Sequence, residues 1–547
     1  MSYSDAYFTP CASVVECETD STNIRLRDPS SFGYDLTTIP RHAEKLIMND
    51  TFDQKINPGD LPPELKYLKF NDKFNRDLSV GSIPPKLTHL TFGCKFNKPI
   101  YPGVLPPSLE SLVLSGSYGH ELVAGSLPYG LKKLQICGKY SHVIGPYVLP
   151  HTLEEFMLYC DKDILTESSL PDSLKRLEIG GWQNYEYCSD IGSFDFSVVP
   201  LGLRHLELFA NIDAHNMAKY NPQNIEEMKI NSKTLVMLSK NMFPANLKRL
   251  FIYGADIVKI EIGAIPEGLK FLSINISDRC FLAPSEFPSS LTELKLYNNK
   301  SGTLLPRVPG PRPYIFGALP KNLEALFIQY FAKGHVSAHN FPSNLKTVGI
   351  YDSPGQYFDV SMLPDSVEKI DLRYAYEKKL EPGSLPSSLK SLRFGGYNHP
   401  LVPGVFPATL EKLVLEQNFN HDIRPGSLPD SLKTISLGRN FKKSAENIPS
   451  KTKILSGIHI PGVKYTFLEN FERIETSISN FPDNVKVGPI YKLKYGQRAV
   501  DVEPIQYGQR VVDVEPIQAE AEVTKQLLIS EIYRMINNLQ EQLAKLQ

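Results

Sequence analysis

Four of the twelve histidines in this 547-residue chain have spacings that two ligands of one metal ion could use. They form two pairs, His205 with His215 and His335 with His339. No cysteine or carboxylate motif of a metal site accompanies either pair. We expect these histidines to be surface or loop residues, and the sequence predicts no metal.

The carboxylate pairs Glu154-Glu155 and Glu226-Glu227 are the next candidates for chemistry, as an acid and a base. Adjacent residues of a strand point to opposite faces of a sheet, so neither pair can converge on one substrate. No HExxH, GxSxG, Walker or GxGxxG motif occurs in a suitable setting. The sequence therefore predicts no enzyme and no cofactor.

Composition limits the classes of partner. Lys plus Arg (59) nearly equals Asp plus Glu (60), and no basic stripe points to nucleic acid. No apolar run approaches the ~20 residues that span a bilayer, so no membrane partner is predicted. The N-terminus lacks the charged and apolar regions of a secretory signal. We expect an intracellular, cytoplasmic protein, in the host cytoplasm if the protein is viral.

A proline returns about every 22 residues over residues 62–429, and the third, sixth and eighth residues after it are nearly always apolar. Pro84, for example, is followed by Leu87, Leu90 and Phe92. Seventeen such units can be counted. A fixed period in this range predicts a solenoid of stacked repeats.

Each repeat unit is expected to contain one short strand. In the unit that begins at Pro106, Leu112 and Leu114 alternate with other residues, which predicts a strand with these two side chains pointing inward. Proline marks the bend before the strand, and turns such as Pro102-Gly103 supply a second bend. We expect successive strands to lie parallel in one long curved sheet. The return segments are too rich in Pro and Gly for a helix.

The segments FGCKFNKPIYPGVLPPSL (92–109) and NFNHDIRPGSLPDSL (418–432) resemble the FNIP repeat, a leucine-rich-repeat relative of slime moulds and of large viruses of amoebae. Phe74-Asn75 and Phe96-Asn97 match its namesake motif. The resemblance extends over about residues 40–450, although the units at Pro222, Pro244 and Pro266 lack Phe-Asn.

The resemblance implies a mainly β repeat solenoid with a leucine-rich-repeat-like curved parallel sheet of about 17–20 units of ~22 residues. It also implies a protein-binding module, with the repeat Phe in the core and the repeat Asn hydrogen-bonded to turn backbone. Some family members carry an F-box before the repeats, which would make them substrate adaptors of a ubiquitin ligase. Residues 1–39 contain no F-box-like run.

Five segments are predicted from these patterns. They are an N-terminal segment or cap (1–39), the solenoid (40–440), degenerate repeats with a C-terminal cap (441–494), a tandem 12-residue duplication that forms a linker (495–518), and a helix (519–547). The helix carries apolar residues in the 3-4 spacing of an α-helical coiled coil, at Ile529, Ile532, Ile536, Leu539, Leu543 and Leu546. We expect a homo-oligomer, a trimer or else a dimer, unless this helix packs against the solenoid.

The fifth, seventh and ninth residues after each proline should point away from the core. In the middle units these positions are rich in aromatic residues, namely Tyr159, Phe209, Phe251, Tyr253, Phe271, Tyr297, Phe327 and Tyr351. An exposed aromatic band of this kind is typical of a protein contact surface, although aromatics also favour strands in general. Insertions before Pro200 and Pro320 are further binding candidates.

Three functions agree with the sequence. The preferred one is a non-enzymatic protein–protein interaction scaffold, viral and directed at a host protein through the concave sheet face. The second is the substrate adaptor of a ubiquitin ligase. The third is a structural, particle-associated oligomer that displays several solenoids.

Overall fold

The computed structural model describes part of the chain. Its described residues are 23–25, 36, 39–116, 118–160, 164–180, 193–220, 222–232, 234–276, 286–297, 319–330, 341–352, 358–373, 376–416, 418–438, 440–444 and 446–456. They all belong to one compact unit, Met1–Tyr465. The second unit, Thr466–Gln547, lies outside them. The linker 495–518 and the helix 519–547 therefore stay predictions.

The described residues form mostly short strands, one per repeat. The strands are β1 Asn23–Arg25, β2 Lys45–Ile47, β3 Tyr67–Lys69, β4 His89–Thr91, β5 Ser111–Gly116, β6 Lys133–Tyr140, β7 Glu155–Cys160, β8 Arg176–Gly180, β9 His205–Phe209, β10 Glu227–Asn231, β11 Met237–Leu238, β12 Arg249–Ile257, β13 Lys259–Ile260, β14 Phe271–Ile276, β15 Glu293–Tyr297, β16 Ala325–Tyr330, β17 Thr347–Asp352, β18 Lys369–Leu372, β19 Ser391–Phe394, β20 Lys412–Leu415, β21 Thr434–Leu437 and β22 Lys453–Ser456.

All these strands except β11 and β13 form one 20-stranded parallel sheet. Each strand pairs with the strand of the next repeat, so Glu227 in β10 pairs with Arg249 in β12, which pairs with Phe271 in β14. The register thus advances by 22 residues, as the prolines do. One long parallel sheet was predicted, and it is confirmed. β1 and β22 extend this sheet beyond residues 40 and 440, the predicted ends of the solenoid.

The apolar triad of each repeat forms the core. Leu87, Leu90 and Phe92 are at most 1% exposed and belong to one hydrophobic cluster that runs from Leu36 to Ile448. Because each repeat adds one layer to this cluster, the core grows with the number of repeats rather than around one centre.

A column of aromatic rings lies behind the first repeats of the sheet. Phe52, Phe74, Phe96, Tyr118 and Tyr140 stack in order, with ring centroids 5.9, 6.0, 6.3 and 6.4 Å apart. All five are buried. The predicted core position of the repeat Phe is confirmed.

The repeat Asn connects adjacent repeats. Asn75 Oδ1 accepts a hydrogen bond from the Asn97 N–H at 2.9 Å, and Asn97 Oδ1 accepts one from the Gly119 N–H at 3.0 Å. Asp53 fills the same place one repeat earlier, where its carboxylate accepts from the Asn75 N–H at 2.9 Å. The predicted bond from Asn to turn backbone is confirmed, and the backbone belongs to the next repeat.

The turns before the strands use glycine in the left-handed region. Gly59, Gly103, Gly383 and Gly426 have φ values of 85°, 82°, 81° and 73°. Glycine reaches these values without a steric penalty, which explains the Pro-Gly pattern of the second bend.

Helical structure is scarce in the described residues. An α-helix, α1, spans Ala214–Tyr220, and 3₁₀ turns span Phe196–Val198 and Val360–Met362. The expectation that no return segment is helical is wrong for α1. Residues 210–220 contain neither Pro nor Gly, so nothing prevents helix formation there.

Candidate protein-binding surface

The second face of the long sheet, which points away from the core cluster, carries all eight predicted aromatic residues. Five of them are at most 9% exposed, although none of the five belongs to the core cluster: Tyr159, Phe251, Phe271, Tyr297 and Phe327. The prediction that they form an exposed band is therefore wrong. Phe209, Tyr253 and Tyr351 are half-buried and stay accessible.

Side chains of adjacent repeats cover the rings on this face. The rings of Phe251 and Phe271 lie 4.6 Å apart between centroids. The Arg249 guanidinium carbon is 4.4 Å from the Phe271 centroid and 5.4 Å from that of Phe251. The Lys229 Nζ approaches Phe251 to 5.6 Å. Each ring is thus in contact with a neighbouring ring and with cations, which attract its π face.

The same arrangement continues through the next strands. Lys295 Nζ lies 5.0 Å from the Phe271 centroid and 5.1 Å from the Phe327 centroid. The rings of Phe327 and Tyr351 stack at 6.3 Å. Between them lies Gly349, where an added Cβ would come within 2.5 Å of Phe327 Cδ1. The absence of a side chain at Gly349 gives the Phe327 ring room to lie flat along the sheet.

Buried and half-buried ionisable side chains accompany the rings on β7 to β10. Tyr159 Oη donates to Glu178 Oε1 at 3.1 Å, and Glu207 pairs with Lys229 at 3.1 Å. Glu178 is buried. Burial first, and then the nearby charge of Glu207, raise the pKa of the Glu178 carboxyl to about 7.

A second polar cluster lies on β17 to β20. Arg373 stacks on the Tyr351 ring at 4.8 Å and donates to Asp371 Oδ2 at 3.3 Å. Arg393 donates to Glu416 Oε1 at 2.7 Å and lies 3.8 Å from Asp371 Oδ1. This buried Asp371 oxygen accepts no hydrogen bond from the described residues.

Comparison with known proteins places these repeats in a family. A model of the FNIP Repeat family matches residues 52–95, 96–139, 354–396, 397–440 and 419–456. The chain contains FNIP repeats. Between the matched segments, β7 to β17 continue the same sheet. No curated protein sequence matches the chain.

The chain is similar to several solved structures. CroV588, whose crystal structure is called that of a circular leucine-rich-repeat protein, is similar with a TM-score of 0.56 and 23% identity, over 76% of this chain and 63% of its own. The Drosophila Toll–Spatzle complex gives 0.45 and 13% (77% and 64% covered), and the mouse RP105/MD-1 complex gives 0.45 and 15% (76% and 82%). This chain thus spans less than two thirds of CroV588 and of the Toll complex chain.

The FNIP repeats also align charged residues in a column that the sequence patterns above did not single out. The fourth residue after each proline often alternates between Glu and a cation, and the two pair across adjacent repeats. Distances of 2.7–3.7 Å separate the charged atoms of Lys66–Glu44, Lys132–Glu110, Lys175–Glu154, Arg204–Glu226, Lys248–Glu226, Lys346–Glu324, Lys390–Glu368 and Lys433–Glu411. The alternation of Glu with Lys or Arg at this one position of the repeat could have predicted these ion pairs from the sequence.

The carboxylate pairs are divided between separate ion pairs. Glu154 pairs with Lys175 at 2.9 Å, whereas Glu155 pairs with Lys133 at 2.9 Å. The predicted divergence of these adjacent carboxylates is thereby seen in the structure. Glu226 and Glu227 differ likewise, with partners at Lys248 and at Arg249.

Other predicted features are only partly within the described residues. His205 is exposed on β9 and His215 is exposed on α1, and no grouping of three or more metal-ligating side chains occurs in the described part of the chain. His335, His339, both insertions and the oligomerisation residues Ile529, Ile532, Ile536, Leu539, Leu543 and Leu546 lie outside the described residues. None of the described helices has the length and apolar character to cross a bilayer.

Several large exposed apolar residues lie instead on turns before the strands. Val80, Tyr101, Tyr129 and Tyr147 are 68%, 62%, 75% and 88% exposed. They belong to the turn strip, defined as residues 79–85, 101–107, 123–129 and 145–151, on four consecutive repeats. The pattern of aromatic residues in the strands gave no indication of this surface, because it follows the turns.

Proposed function

We propose that this FNIP repeat protein is a non-enzymatic protein–protein interaction scaffold that binds a partner through the second face of its sheet. The main observation is that half-buried tyrosines lie beside ordered rings and guanidinium groups there. Tyr351 lies beneath Arg373, and Tyr253 lies 6.2 Å from the Phe251 ring, which Arg249 covers. Tyr and Arg supply much of the binding energy of protein interfaces, because each can bury a large area against the partner.

The buried rings support this proposal in a different role from the one predicted. Phe251, Phe271 and Phe327 hold the neighbouring cations in place, as the distances of 4.4–5.6 Å indicate. A surface whose side chains are already ordered loses less conformational entropy on binding.

FNIP and leucine-rich-repeat solenoids are typically protein-interaction scaffolds. Within the proposal, the partner is a host protein and the scaffold is viral. The support for this setting is the family resemblance, because FNIP repeats occur in large viruses of amoebae.

The test is affinity capture from extract of a candidate host cell with the full chain and with the double variant Tyr253→Ser, Tyr351→Ser. We expect proteins retained by the wild type to be lost from the double variant, because both replaced rings are accessible. Tyr297 is left unchanged because its ring is buried. Tyr220→Ser, on α1 and away from the sheet face, is the matched control and should retain them.

Equal capture by the double variant, with unchanged circular dichroism, would contradict binding through the second face. Mass spectrometry of the captured proteins also separates the alternatives. Ubiquitin-ligase subunits would favour the adaptor role, whereas particle proteins would favour a structural component.

A further inference from the structure

Three lysines of the last strands lie in one row across the sheet. Lys369, Ser391, Lys412, Thr434 and Lys453 are the first residues of β18 to β22, and each is in register with the next. We define Lys369, Lys412 and Lys453 as the lysine row. The backbones of neighbouring lysines are two strand spacings apart, or about 10 Å, with a hydroxyl-bearing residue between them.

The lysine row lies on the second face of the sheet. The residue after each lysine, Ile370, Leu413 or Ile454, belongs to the core cluster or packs against it. Successive residues of a strand point to opposite faces, so the lysines point away from the core. The row is therefore part of the face through which we propose that the scaffold binds.

The carboxylates next to the lysine row are engaged elsewhere. Glu368 pairs with Lys390 at 2.8 Å, and Glu411 pairs with Lys433 at 2.8 Å. Among the described residues, no carboxylate forms an ion pair with the lysine row. The row thus differs from the neighbouring column of ion pairs, in which successive repeats neutralise each other.

The other charged groups on these strands leave an excess of positive charge. Asp371 pairs with Arg373 at 3.3 Å, and Glu416 accepts a hydrogen bond from Arg393 at 2.7 Å. The second face of β18 to β22 therefore carries five cationic side chains and two carboxylates, whereas the whole chain has a net charge of −1. An excess of cations on one face of a nearly neutral chain favours an acidic partner there.

We propose that the lysine row binds a run of acidic residues, in an extended conformation, on the partner protein. The row spans four strand spacings, which is about 19 Å. An extended chain covers this length with about six residues, and every second side chain points to the same side. A run of Asp or Glu residues of this length would present three carboxylates to the three lysines. The hydroxyl groups of Ser391 and Thr434, between the lysines, can donate to the carboxylate oxygens.

An acidic polypeptide fits this surface better than a nucleic acid does. Asp371 and Glu416 lie on the same face, and Glu368 and Glu411 lie beside the row, so these carboxylates would repel a continuous chain of phosphates. The inference rests on the proposed scaffold function, because it names the chemistry of a partner of the second face. It uses neither of the tyrosines that test that function, so the two can fail separately.

The test is fluorescence anisotropy of a labelled octaglutamate peptide titrated with the full chain at low salt. We expect saturable binding that weakens at least tenfold in the triple variant Lys369→Gln, Lys412→Gln, Lys453→Gln, because the three unpaired cations are removed. The triple variant Lys369→Arg, Lys412→Arg, Lys453→Arg keeps the charges and should bind as the wild type does.

A second triple variant, Lys66→Gln, Lys132→Gln, Lys175→Gln, is the control for net charge. It removes the same number of charges from exposed lysines on earlier repeats, where each lysine pairs with a glutamate. Its affinity for octaglutamate should equal that of the wild type. The double variant Tyr253→Ser, Tyr351→Ser should also bind octaglutamate, which separates this proposal from the proposed function.

Absence of saturable binding, or equal weakening in the two glutamine variants, would overturn the proposal. Loss of binding in the arginine variant would overturn it too, because charge would then not be what the peptide recognises. Octaglutamine measures binding without charge, and equal affinity for it would contradict an acidic partner. Tighter binding of a labelled oligo(dT) of equal length would assign the row to a nucleic acid instead of an acidic protein.

Discussion

Gly349 shows how a residue in one repeat is constrained by the residues of the adjacent repeats. Its lack of a side chain leaves space for Phe327, 22 positions earlier, and an added Cβ would come within 3.1 Å of Tyr351 Oη. Asn75 is constrained in the same way, because its side chain receives the Asn97 N–H. At this scale, the identity of a side chain depends on the same position one repeat away.

Glu178 should make stability depend on pH. Its pKa is raised from 4.5 to about 7 in the folded chain, so the folded state holds the proton more tightly than the unfolded state. The stabilisation is complete below pH 4.5 and is lost as pH rises through 7, by about 3 kcal/mol in all. We expect the denaturant midpoint to fall between pH 5 and pH 8.

The variant Glu178→Gln should remove this part of the pH dependence, because the amide does not titrate. Glu64→Gln is the matched control, since Glu64 lies in an exposed ion pair with Lys86. Denaturant midpoints at pH 5, 6, 7 and 8 measure both. If Glu178→Gln and the wild type lose stability in parallel, Glu178 is not the titrating group.

Replacement of Tyr147 by glycine should increase the free energy of unfolding. The left-handed region costs a residue other than glycine about 1–2 kcal/mol, so Tyr147→Gly should stabilise the fold by about 1 kcal/mol after the extra entropy of unfolded glycine is subtracted. Tyr101→Gly is the control, because Tyr101 is not among the residues with positive φ. A higher thermal midpoint for the first variant only is expected, and equal midpoints would contradict the strain.

At the scale of the element, the repeat could be predicted from the sequence to a large extent. The period of 22 gave the register, and the triad after each proline gave the core, as at Leu87, Leu90 and Phe92. Alternation along a strand also assigned Phe251 and Phe271 to the second face correctly. It could not give their burial, because burial depends on how side chains from three neighbouring repeats pack.

A glycine at a second-face position, with an aromatic residue on the adjacent repeat, was the sequence feature that could have predicted this packing. Gly180 is overlain by the Phe209 ring of the next repeat, and Gly349 makes room for Phe327 of the repeat before. Both glycines occupy positions of the second face where other repeats have large side chains. The exposed turn residues were missed for another reason, because strand periodicity carries no information on turns.

The charge column should hold adjacent repeats together mainly at low salt. Lys132 lies between Glu110 and Glu154, so Lys132→Glu would place three carboxylates on consecutive repeats. Since these side chains are exposed, the repulsion should be screened by salt. We expect a lower denaturant midpoint than the wild type at 10 mM salt and no difference at 1 M.

Adding Glu110→Lys to Lys132→Glu restores one attraction and should recover part of the loss at low salt. A decrease that persists at 1 M salt would mean that Lys132 contributes through packing of its hydrocarbon stem instead. The comparison of the two salt concentrations therefore separates charge from packing.

At the scale of the whole molecule, the strand pairing within the described residues joins consecutive repeats. β3 pairs with β2 and β4, and the same rule holds along the sheet to β21 and β22. The stability of such an array is a sum over repeats and their interfaces. A substitution in a binding surface on one repeat therefore need not disturb a binding surface on a distant repeat. The lysine row on β18 to β22 and the accessible aromatics of β9 and β12 are separate surfaces of this kind.

The helix predicted over 519–547 would bring several such solenoids together. Its seam of Ile529, Ile532, Ile536, Leu539, Leu543 and Leu546 is long enough for three heptads, and a helix of this length is marginal in water unless the seam is buried.

Light scattering of the full chain should give two or three times the mass of one chain. Removal of 519–547, or the double variant Ile532→Asp, Leu539→Asp, should return the mass to that of one chain. The off-seam variant Asn537→Asp is the control and should leave the mass unchanged. An unchanged mass after removal of 519–547 would show that this helix does not join the chains. Any avidity of the scaffold would then have to come from several surfaces of one solenoid.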